Sequence, residues 1–321
     1  MRVYLGIDVG SVTTKFAVLD ENKELVTSIY LLTQGKPIDM VQQGLRQIKQ
    51  QLSDDVDICG VATTGSARYL AGVIVGADLV KNEITSHAVA TLSYIPQVRT
   101  IIEIGGQDSK IIIIRDGVVV DFGMNTVCAA GTGSFLDHQA IRLDMNIEEF
   151  ARRALDSKTS VRIAGRCTVF AESDMIHKQQ MGHQIEDILY GLCQALVRNY
   201  LNNVGLGKDI QTPVVFQGGV AFNQAIGRAF REELGIEIIV PPNHELMGAI
   251  GAALLVQEEM AISHNGSKFK GFGVSDIKYH TSSFECKACP NCCEIAQLSI
   301  DGQVLARWGG RCDMWERSSS I

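Results

Sequence analysis

The sequence lacks the features of exported, membrane-spanning and nucleic-acid-binding proteins. Its N-terminus leads directly into the strand pattern of residues 3–8, and its longest apolar runs are far short of a membrane span. No basic stripe offsets the net charge of −7, which argues against a nucleic-acid partner. Nine cysteines, an odd number, without an export signal favour reduced thiols or metal ligands over disulfides. These absences predict a cytoplasmic protein with no membrane or nucleic-acid partner.

Two common nucleotide-binding signatures are also missing. The chain has neither a GxxxxGK[ST] P-loop nor a GxGxxG run after a strand, which disfavours the folds built on them. What it has is 321 residues, 46% of them hydrophobic, in which strand and helix patterns alternate. That alternation predicts a mixed α/β architecture, in a chain long enough to divide into domains.

A pattern of acid, glycine turn, lysine and apolar strand occurs twice, in GIDVGSVTTK and in EIGGQDSK. Three positions match without a gap: Asp8 with Glu103, Gly10 with Gly105, and Lys15 with Lys110. A single glycine turn is most often only a tight connection. Its repetition in register suggests two duplicated halves that face each other across a cleft.

Both turns, and a third at Gly218–Gly219, have the chemistry of a nucleotide site. Mg²⁺ prefers carboxylate oxygen and retained water, so we expect Asp8 and Glu103 to organise Mg²⁺ and water. Gln107 or Asp108 is expected to orient the attacking water. The expected phosphate-binding residues are Gly10, Ser11, Val12, Thr13, Thr14 and Lys15 in the first turn and Gly105, Gly106 and Lys110 in the second. The third turn, with Asn223, is expected to hold the adenosine.

Cys128 and Cys167 stand in settings that suit metal ligands. Cys128 opens CAAGTGS, a glycine-rich turn before an expected helix at 134–142, and Cys167 lies in GRCTVFAES. Helix N-termini favour phosphate and also lower a thiol's pKa, so one turn can serve a nucleotide and a metal centre together. The turn residues expected to contact the nucleotide are Ala130, Gly131, Thr132 and Gly133. For either cysteine alone, a small buried hydrophobe is the plainer interpretation.

Together these motifs resemble the ATPase activators of 2-hydroxyacyl-CoA dehydratases and the related ATPase subunits of benzoyl-CoA reductase. The resemblance runs from about residue 1 to 260 and rests on GIDVGSVTTK, EIGGQDSK, NTVCAAGTGSFLD, RCTVFAESD, QGGVAFN and PPNHELMGAIGAAL. It places the chain in the superfamily of acetate kinase, sugar kinases, heat-shock chaperones and actin. The implied fold is α/β: duplicated ribonuclease H-like (actin-type) halves around a nucleotide cleft, plus a Cys-rich C-terminal appendage. The expected divisions are 1–97, 98–244 and a tail at 263–321, with a helix at about 245–262 returning to the first half.

The resemblance also implies a function. Cys128 and Cys167 from each of two subunits would hold one oxygen-sensitive 4Fe–4S cluster in a homodimer that binds ATP or ADP with Mg²⁺. A ferredoxin or flavodoxin would reduce it. ATP hydrolysis would then drive one low-potential electron to a partner metalloenzyme, namely a 2-hydroxyacyl-CoA dehydratase, a benzoyl-CoA reductase-like enzyme or a double-cubane cluster protein.

The tail carries a second set of thiols, which the short activators lack. Its Cys-x-x-Cys-x-x-Cys-Cys spacing suits zinc or another Fe–S cluster, and disulfides formed in air are the main rival. The candidate ligands are Cys286, Cys289, Cys292, Cys293 and Cys312. Two alternative functions of the same fold remain: a small-molecule kinase, which needs neither Cys128 nor Cys167, and a non-redox ATPase switch with a structural zinc in the tail.

Overall fold

Strands and helices alternate along the chain, as the sequence predicts. The computed structural model describes residues 1–53, 55–125, 127–159, 161–164, 167–263, 265–312 and 314–315. Its strands are β1 (Arg2–Val9), β2 (Thr13–Asp20), β3 (Leu25–Leu32), β4 (Asp57–Thr64), β5 (Leu79–Val80), β6 (Thr100–Ile104), β7 (Ser109–Arg115), β8 (Val118–Asn125), β9 (Val214–Gln217), β10 (Ile238–Ile239), β11 (His280–Glu285), β12 (Glu294–Ile300) and β13 (Gln303–Trp308). Its helices are α1 (Pro37–Gln51), α2 (Arg68–Val75), α3 (Glu83–Tyr94), α4 (Gly133–Arg142), α5 (Ile147–Leu155), α6 (Thr168–Gln180), α7 (Ile185–Tyr200), α8 (Gln224–Leu234) and α9 (Met247–Ser263).

The chain divides into two units, each built on a five-stranded sheet. Unit 1 comprises residues 1–86 and 248–321, and unit 2 comprises residues 87–247. The strand order is β3-β2-β1-β4-β5 in unit 1 and β8-β7-β6-β9-β10 in unit 2. In both sheets the first three strands run antiparallel in sequence order, and the other two run parallel to the first strand. The repeat in the sequence therefore reflects a duplicated topology, and the predicted α/β halves are confirmed.

The core of unit 2 is organised around α7. Its apolar residues recur at helical spacing, and Ile188, Leu192, Leu196 and Tyr200 are fully buried in one cluster with residues of the sheet and of α8. Full burial of side chains of this size contributes about 1.5–3 kcal/mol each to folding. Helix α7 ends at Tyr200 and is continued by a π-helical turn, Leu201–Gly205.

Asp187 fixes the start of α7 to the preceding loop. Its Oδ1 accepts hydrogen bonds from Ser157 Oγ (2.8 Å) and from the amides of Lys158 and Thr159 (both 2.9 Å). Its Oδ2 accepts one from Thr159 Oγ1 (2.7 Å). These hydrogen bonds lower the pKa of Asp187 from 3.8 to about 2. The bond from the Thr159 amide has the largest effect, ahead of those from the two hydroxyls and the Lys158 amide. Because the folded pKa lies below the unfolded one, this stabilisation is present above about pH 4 and is lost toward pH 2.

Replacing Asp187 by asparagine is expected to lower the free energy of unfolding by about 2 kcal/mol at neutral pH, because charge-assisted hydrogen bonds are lost. The loss should shrink as the pH falls from about 4 to about 2, where the wild type itself becomes protonated. Urea unfolding of both proteins at a series of pH values measures this difference in the free energy of unfolding. Asp39→Asn, at an exposed position in the first turn of α1, is the control. Parallel pH profiles for Asp187→Asn and wild type would contradict the assignment.

Small residues let α9 pack closely on β1 in unit 1. A Cβ atom at Gly6 would overlap the backbone of Ala249 and Ala253, and one at Gly251 would overlap Ser86. Close packing of α9 on β1 therefore needs glycine at position 6, and the approach of α9 to Ser86 of α3 needs glycine at position 251. None of the helices in the described part of the chain is long and apolar enough to cross a membrane.

The tail packs on unit 1. Strands β11, β12 and β13 form a three-stranded antiparallel sheet, and Leu298 of β12 is buried in the unit 1 core with Val274 and Leu45. Gln42 Nε2 of α1 also donates to the carbonyls of Val274 (3.1 Å) and Ile277 (2.7 Å). The tail therefore contributes to the core of unit 1, while the domain boundaries drawn from the sequence stay a prediction.

Candidate nucleotide and cluster site

In each unit the acid and the lysine of the repeated motif form an ion pair across the first two strands. Asp8 lies opposite Lys15 in the β1–β2 register, and Glu103 lies opposite Lys110 in the β6–β7 register. The Nζ–carboxylate distance is 3.0 Å in both pairs. Lys110 Nζ also lies 2.8 Å from Asp108 Oδ2. Because a buried ion pair gains little over apolar packing, these pairs at the strand ends favour a functional explanation.

Each of the two glycine turns is closed by an equivalent backbone hydrogen bond. The amide of Gly10 donates to Thr13 O (2.9 Å), and that of Gly105 donates to Asp108 O (3.0 Å). In the first turn the hydroxyl of Thr14 is bonded to that of Thr33 (2.9 Å). The remaining predicted residues differ in exposure: Ser11 and Gln107 are exposed, whereas Val12, Thr13, Gly106 and Asp108 are half-buried. The predicted nucleotide contacts of these residues stay predictions.

Three glycines leave room for the two carboxylates, and only Gly218 was among the site residues predicted from the sequence. A Cβ at Gly65, which has φ +90° after β4, would lie 2.5 Å from Asp8 Oδ1, and one at Gly248 would lie 2.6 Å from Asp8 Oδ2. In unit 2, Gly218 has φ +92° after β9, and its Cβ would lie 2.8 Å from Glu103 Oε1. Gly65 is therefore the counterpart of Gly218. The sequence signal was a glycine directly after a buried strand in TTGSAR.

The third turn is held by neighbouring residues of unit 2. The amide of Gly218 donates to His244 O (2.9 Å), and Gly219 begins a short 3₁₀ turn that ends at Phe222. Asn223 caps α8 by accepting a hydrogen bond from the Ala225 amide (3.0 Å). The exposed ring of Phe222 lies edge-on to the imidazole of His244, with ring centroids 4.5 Å apart. An accessible aromatic surface thus lies beside the predicted adenosine turn.

Asn125 holds the loop that carries Cys128. Its Oδ1 accepts hydrogen bonds from the amides of Val127 (3.3 Å) and Cys128 (3.0 Å), and its Nδ2 donates to Cys128 O (2.7 Å). Cys128 is partly exposed and precedes a 3₁₀ turn, Ala129–Gly131, so it does not directly cap α4. No signal in the sequence indicated that Asn125 positions the Cys128 segment.

The first amides of α4 are bonded within the chain. The amide of Gly133 donates to Gly105 O (2.9 Å), that of Ser134 to Gly106 O (2.8 Å), and that of Thr132 to Ala129 O (3.0 Å). Ala130, Gly131, Thr132 and Gly133 are all buried. These bonds join the Cys128 segment to the second glycine turn. A direct contact of the segment with nucleotide stays a prediction.

Cys167 lies at the start of α6, as its N-cap residue, and is partly exposed. Large apolar side chains next to both cysteines are exposed: Val127 (96%), Val169 (65%) and Phe170 (68%). Exposed apolar groups of this kind are typical of interaction surfaces. By contrast, Cys193 is fully buried, and burial raises its pKa to about 12, as expected for a core hydrophobe.

Cys128 and Cys167 have the chemistry of cluster ligands, and their joint ligation of a cluster stays a prediction. Both are free and accessible, and four thiolates are the usual ligand set of a 4Fe–4S cluster. Within the described residues, no group of three or more His, Cys, Asp and Glu side chains is placed to hold a metal. A cluster that takes ligands from a second copy of the chain likewise stays a prediction.

The tail cysteines lie near the β11–β12 connection and after β13. The amide of Cys286 donates to Cys293 O (2.8 Å), and Trp315 Nε1 donates to Cys286 Sγ (3.2 Å), which lowers the pKa of this thiol. Cys289, Cys292 and Cys312 are exposed. Among the described residues these thiols form no assembled group of metal ligands, and the second metal site stays a prediction.

Comparison with known proteins identifies the family. The family model described as "BadF/BadG/BcrA/BcrD ATPase family" matches residues 5–256. The chain belongs to this ATPase family. It is 36% identical over 269 residues to the (R)-2-hydroxyglutaryl-CoA dehydratase activating ATPase of Acidaminococcus fermentans, covering 81% of this chain and 100% of that protein. It is also 36% identical over 261 residues to the 2-hydroxyisocaproyl-CoA dehydratase activator of Clostridioides difficile, covering 79% and 95%.

Solved structures agree with this membership. The activator of the 2-hydroxyisocaproyl-CoA dehydratase from Clostridium difficile, with bound ADPNP, matches with a TM-score of 0.73 at 34% identity, covering 82% of this chain and 97% of that one. The ethanolamine utilization protein EutJ from Carboxydothermus hydrogenoformans matches with a TM-score of 0.52 at 18% identity, covering 78% and 89%, which shows the fold alone. The resemblance, the fold class and the ATPase assignment made from sequence are therefore confirmed, and the chain is an ATPase of the BadF/BadG/BcrA/BcrD type.

Proposed function

We propose that this ATPase is the iron–sulfur activator component of a partner metalloenzyme. It hydrolyses MgATP and delivers one low-potential electron from a 4Fe–4S cluster shared by two copies of the chain. The observation that carries the proposal is the pair Cys128 and Cys167, both free and partly exposed beside exposed apolar side chains. Two relatives are named activators of 2-hydroxyacyl-CoA dehydratases, which supports an enzyme of that class as the electron acceptor.

The two acid–lysine pairs are proposed to serve the nucleotide. Asp8 and Glu103 organise Mg²⁺ and water, and Lys15 and Lys110 neutralise phosphate charge. The glycines beside Asp8 support this role, because a Cβ atom at Gly65 or Gly248 would lie 2.5 or 2.6 Å from its carboxylate oxygens. Asp108, already bonded to Lys110, or the exposed Gln107 orients the attacking water.

A 4Fe–4S cluster, when bound, supplies a single electron at low potential. The chain's own residues ligate and shield it. Cys128 and Cys167 supply two thiolates, and a two-fold dimer supplies the equivalent pair. Val127, Val169 and Phe170 would exclude water from that interface. A ferredoxin or flavodoxin is the proposed electron donor.

Anaerobic purification tests the proposal. We expect about four iron and four sulfide per dimer with a brown absorption spectrum, and ATP hydrolysis by the same preparation. Iron well above about four per dimer would add a cluster in the tail. A colourless protein with zinc and no iron would contradict the proposal and favour the non-redox switch. Phosphoryl transfer to a small acceptor would favour the kinase.

A further inference from the structure

The segment from Cys128 to Gly133 is joined to the second glycine turn at its C-terminal end. The amides of Gly133 and Ser134 donate to the carbonyls of Gly105 (2.9 Å) and Gly106 (2.8 Å). The hydroxyl of Ser134 donates to the same Gly106 carbonyl (2.6 Å). A Cβ at Gly133 would lie 3.1 Å from Gly105 O, so the two segments lie in close contact. A shift of the turn is therefore passed to the start of α4.

The same segment is joined to β7 through the end of α7. Asn199 Nδ2 donates to Ala130 O (3.3 Å), and the hydroxyl of the next residue, Tyr200, donates to Lys110 O (2.7 Å). Both side chains are buried, with Tyr200 fully so. Gly131 lies against the backbone of Tyr200, where a Cβ would come within 3.4 Å. The cysteine segment is thus fixed on two sides to residues 105–110.

Residues 105–110 also carry the charges proposed to meet phosphate. Lys110 Nζ lies 3.0 Å from Glu103 and 2.8 Å from Asp108. A phosphate that competes for this ammonium changes the ion pairs and so the preferred position of the turn. Closely packed segments respond to such changes by moving between discrete arrangements rather than by stretching.

We propose that Ser134 is a positioning residue that couples the nucleotide state of the 105–110 turn to the position of Cys128. Of the hydrogen bonds described between α4 and this turn, the one made by the Ser134 hydroxyl comes from a side chain. Its removal leaves both backbone bonds in place, so the fold is spared while the link is weakened. This inference rests on the proposed function, in which the turn meets phosphate and Cys128 is a ligand.

The test compares the full-length wild type with Ser134→Ala under a non-hydrolysable MgATP analogue and under MgADP. The first readout is the rate at which a ferrous chelator removes iron from the anaerobic holoprotein. The second is the rate of Cys128 alkylation by iodoacetamide in iron-free protein, followed by mass spectrometry. In wild type we expect the two nucleotides to change each rate by at least about fivefold. In Ser134→Ala the ratio should approach one, with iron content and nucleotide affinity retained.

Two further variants separate coupling from general damage. Ser134→Thr keeps the hydroxyl and should restore the wild-type ratio. Ser173→Ala removes a hydroxyl from α6 that bonds only within its own helix, to Val169 O (3.1 Å), among the bonds described, and should keep the ratio. A wild-type ratio in Ser134→Ala, or no nucleotide effect in wild type, would overturn the inference. A wild type without iron would overturn the proposed function, while the alkylation ratio would still decide the coupling.

Discussion

Replacing Cys128 by serine is expected to remove the iron from the anaerobically purified protein while nucleotide binding persists. Serine is not deprotonated at neutral pH and is a poor ligand for an Fe–S cluster. Loss of one thiolate per chain removes two of the four proposed ligands of the dimer. We expect iron to fall from about four per dimer to fewer than about one, with the same result for Cys167→Ser. Metal analysis and calorimetric titration with MgADP measure the two effects.

Cys59→Ser is the matched control for both variants. Cys59 is also a free, partly exposed cysteine, but it lies on β4 in unit 1, where it accepts a hydrogen bond from Arg2 Nε (3.1 Å). We expect this variant to keep the full iron content. Iron that survives in Cys128→Ser but disappears when Cys289 and Cys292 are also replaced would belong to the tail. Full iron content in Cys128→Ser alone would refute the ligation.

The sequence was sufficient to predict the duplicated halves. Each copy combines a buried strand, a glycine turn and a second strand, and all three have local signatures. The register of Asp8 with Lys15 and of Glu103 with Lys110 follows from the same gapless spacing. α5 and α6 were not placed, although the structure starts α6 directly after Cys167.

What the sequence could not supply are contacts between distant segments. Gly65 and Gly248 matter because of the space they leave at Asp8, and neither lies near it in the chain. The amides of the glycine-rich segment that ends at Gly133 were expected to meet phosphate, because a glycine-rich helix start normally offers free donors. The carbonyls of a turn 28 residues earlier accept the bonds from Gly133 and Ser134, and only the tertiary fold brings them together.

Gly65→Ala is expected to reduce ATP hydrolysis by about a hundredfold, because small displacements of a catalytic group are costly. The added Cβ would lie 2.5 Å from both Asp8 Oδ1 and Val9 O, so the strand end and the carboxylate must move. Alanine at φ +90° adds strain of roughly 1 kcal/mol. Gly35→Ala carries a similar strain at φ +69° but meets no atom within 4 Å, and it should keep full activity. Steady-state hydrolysis measures the effect of moving the Asp8 carboxylate, and thermal unfolding measures the effect of the backbone strain.

The equivalent substitution in unit 2 decides whether both carboxylates are used. Gly218→Ala would overlap Ile104 O and crowd Glu103 Oε1, and Gly235→Ala, at φ +66° with no atom within 4 Å, is its control. If Asp8 and Glu103 both organise Mg²⁺ and water, Gly65→Ala and Gly218→Ala should each lose hydrolysis relative to their controls. Loss in Gly65→Ala alone would leave Glu103 as a structural partner of Lys110. Retained hydrolysis in Gly65→Ala would remove Asp8 from the proposed site, because the added Cβ forces its carboxylate to move.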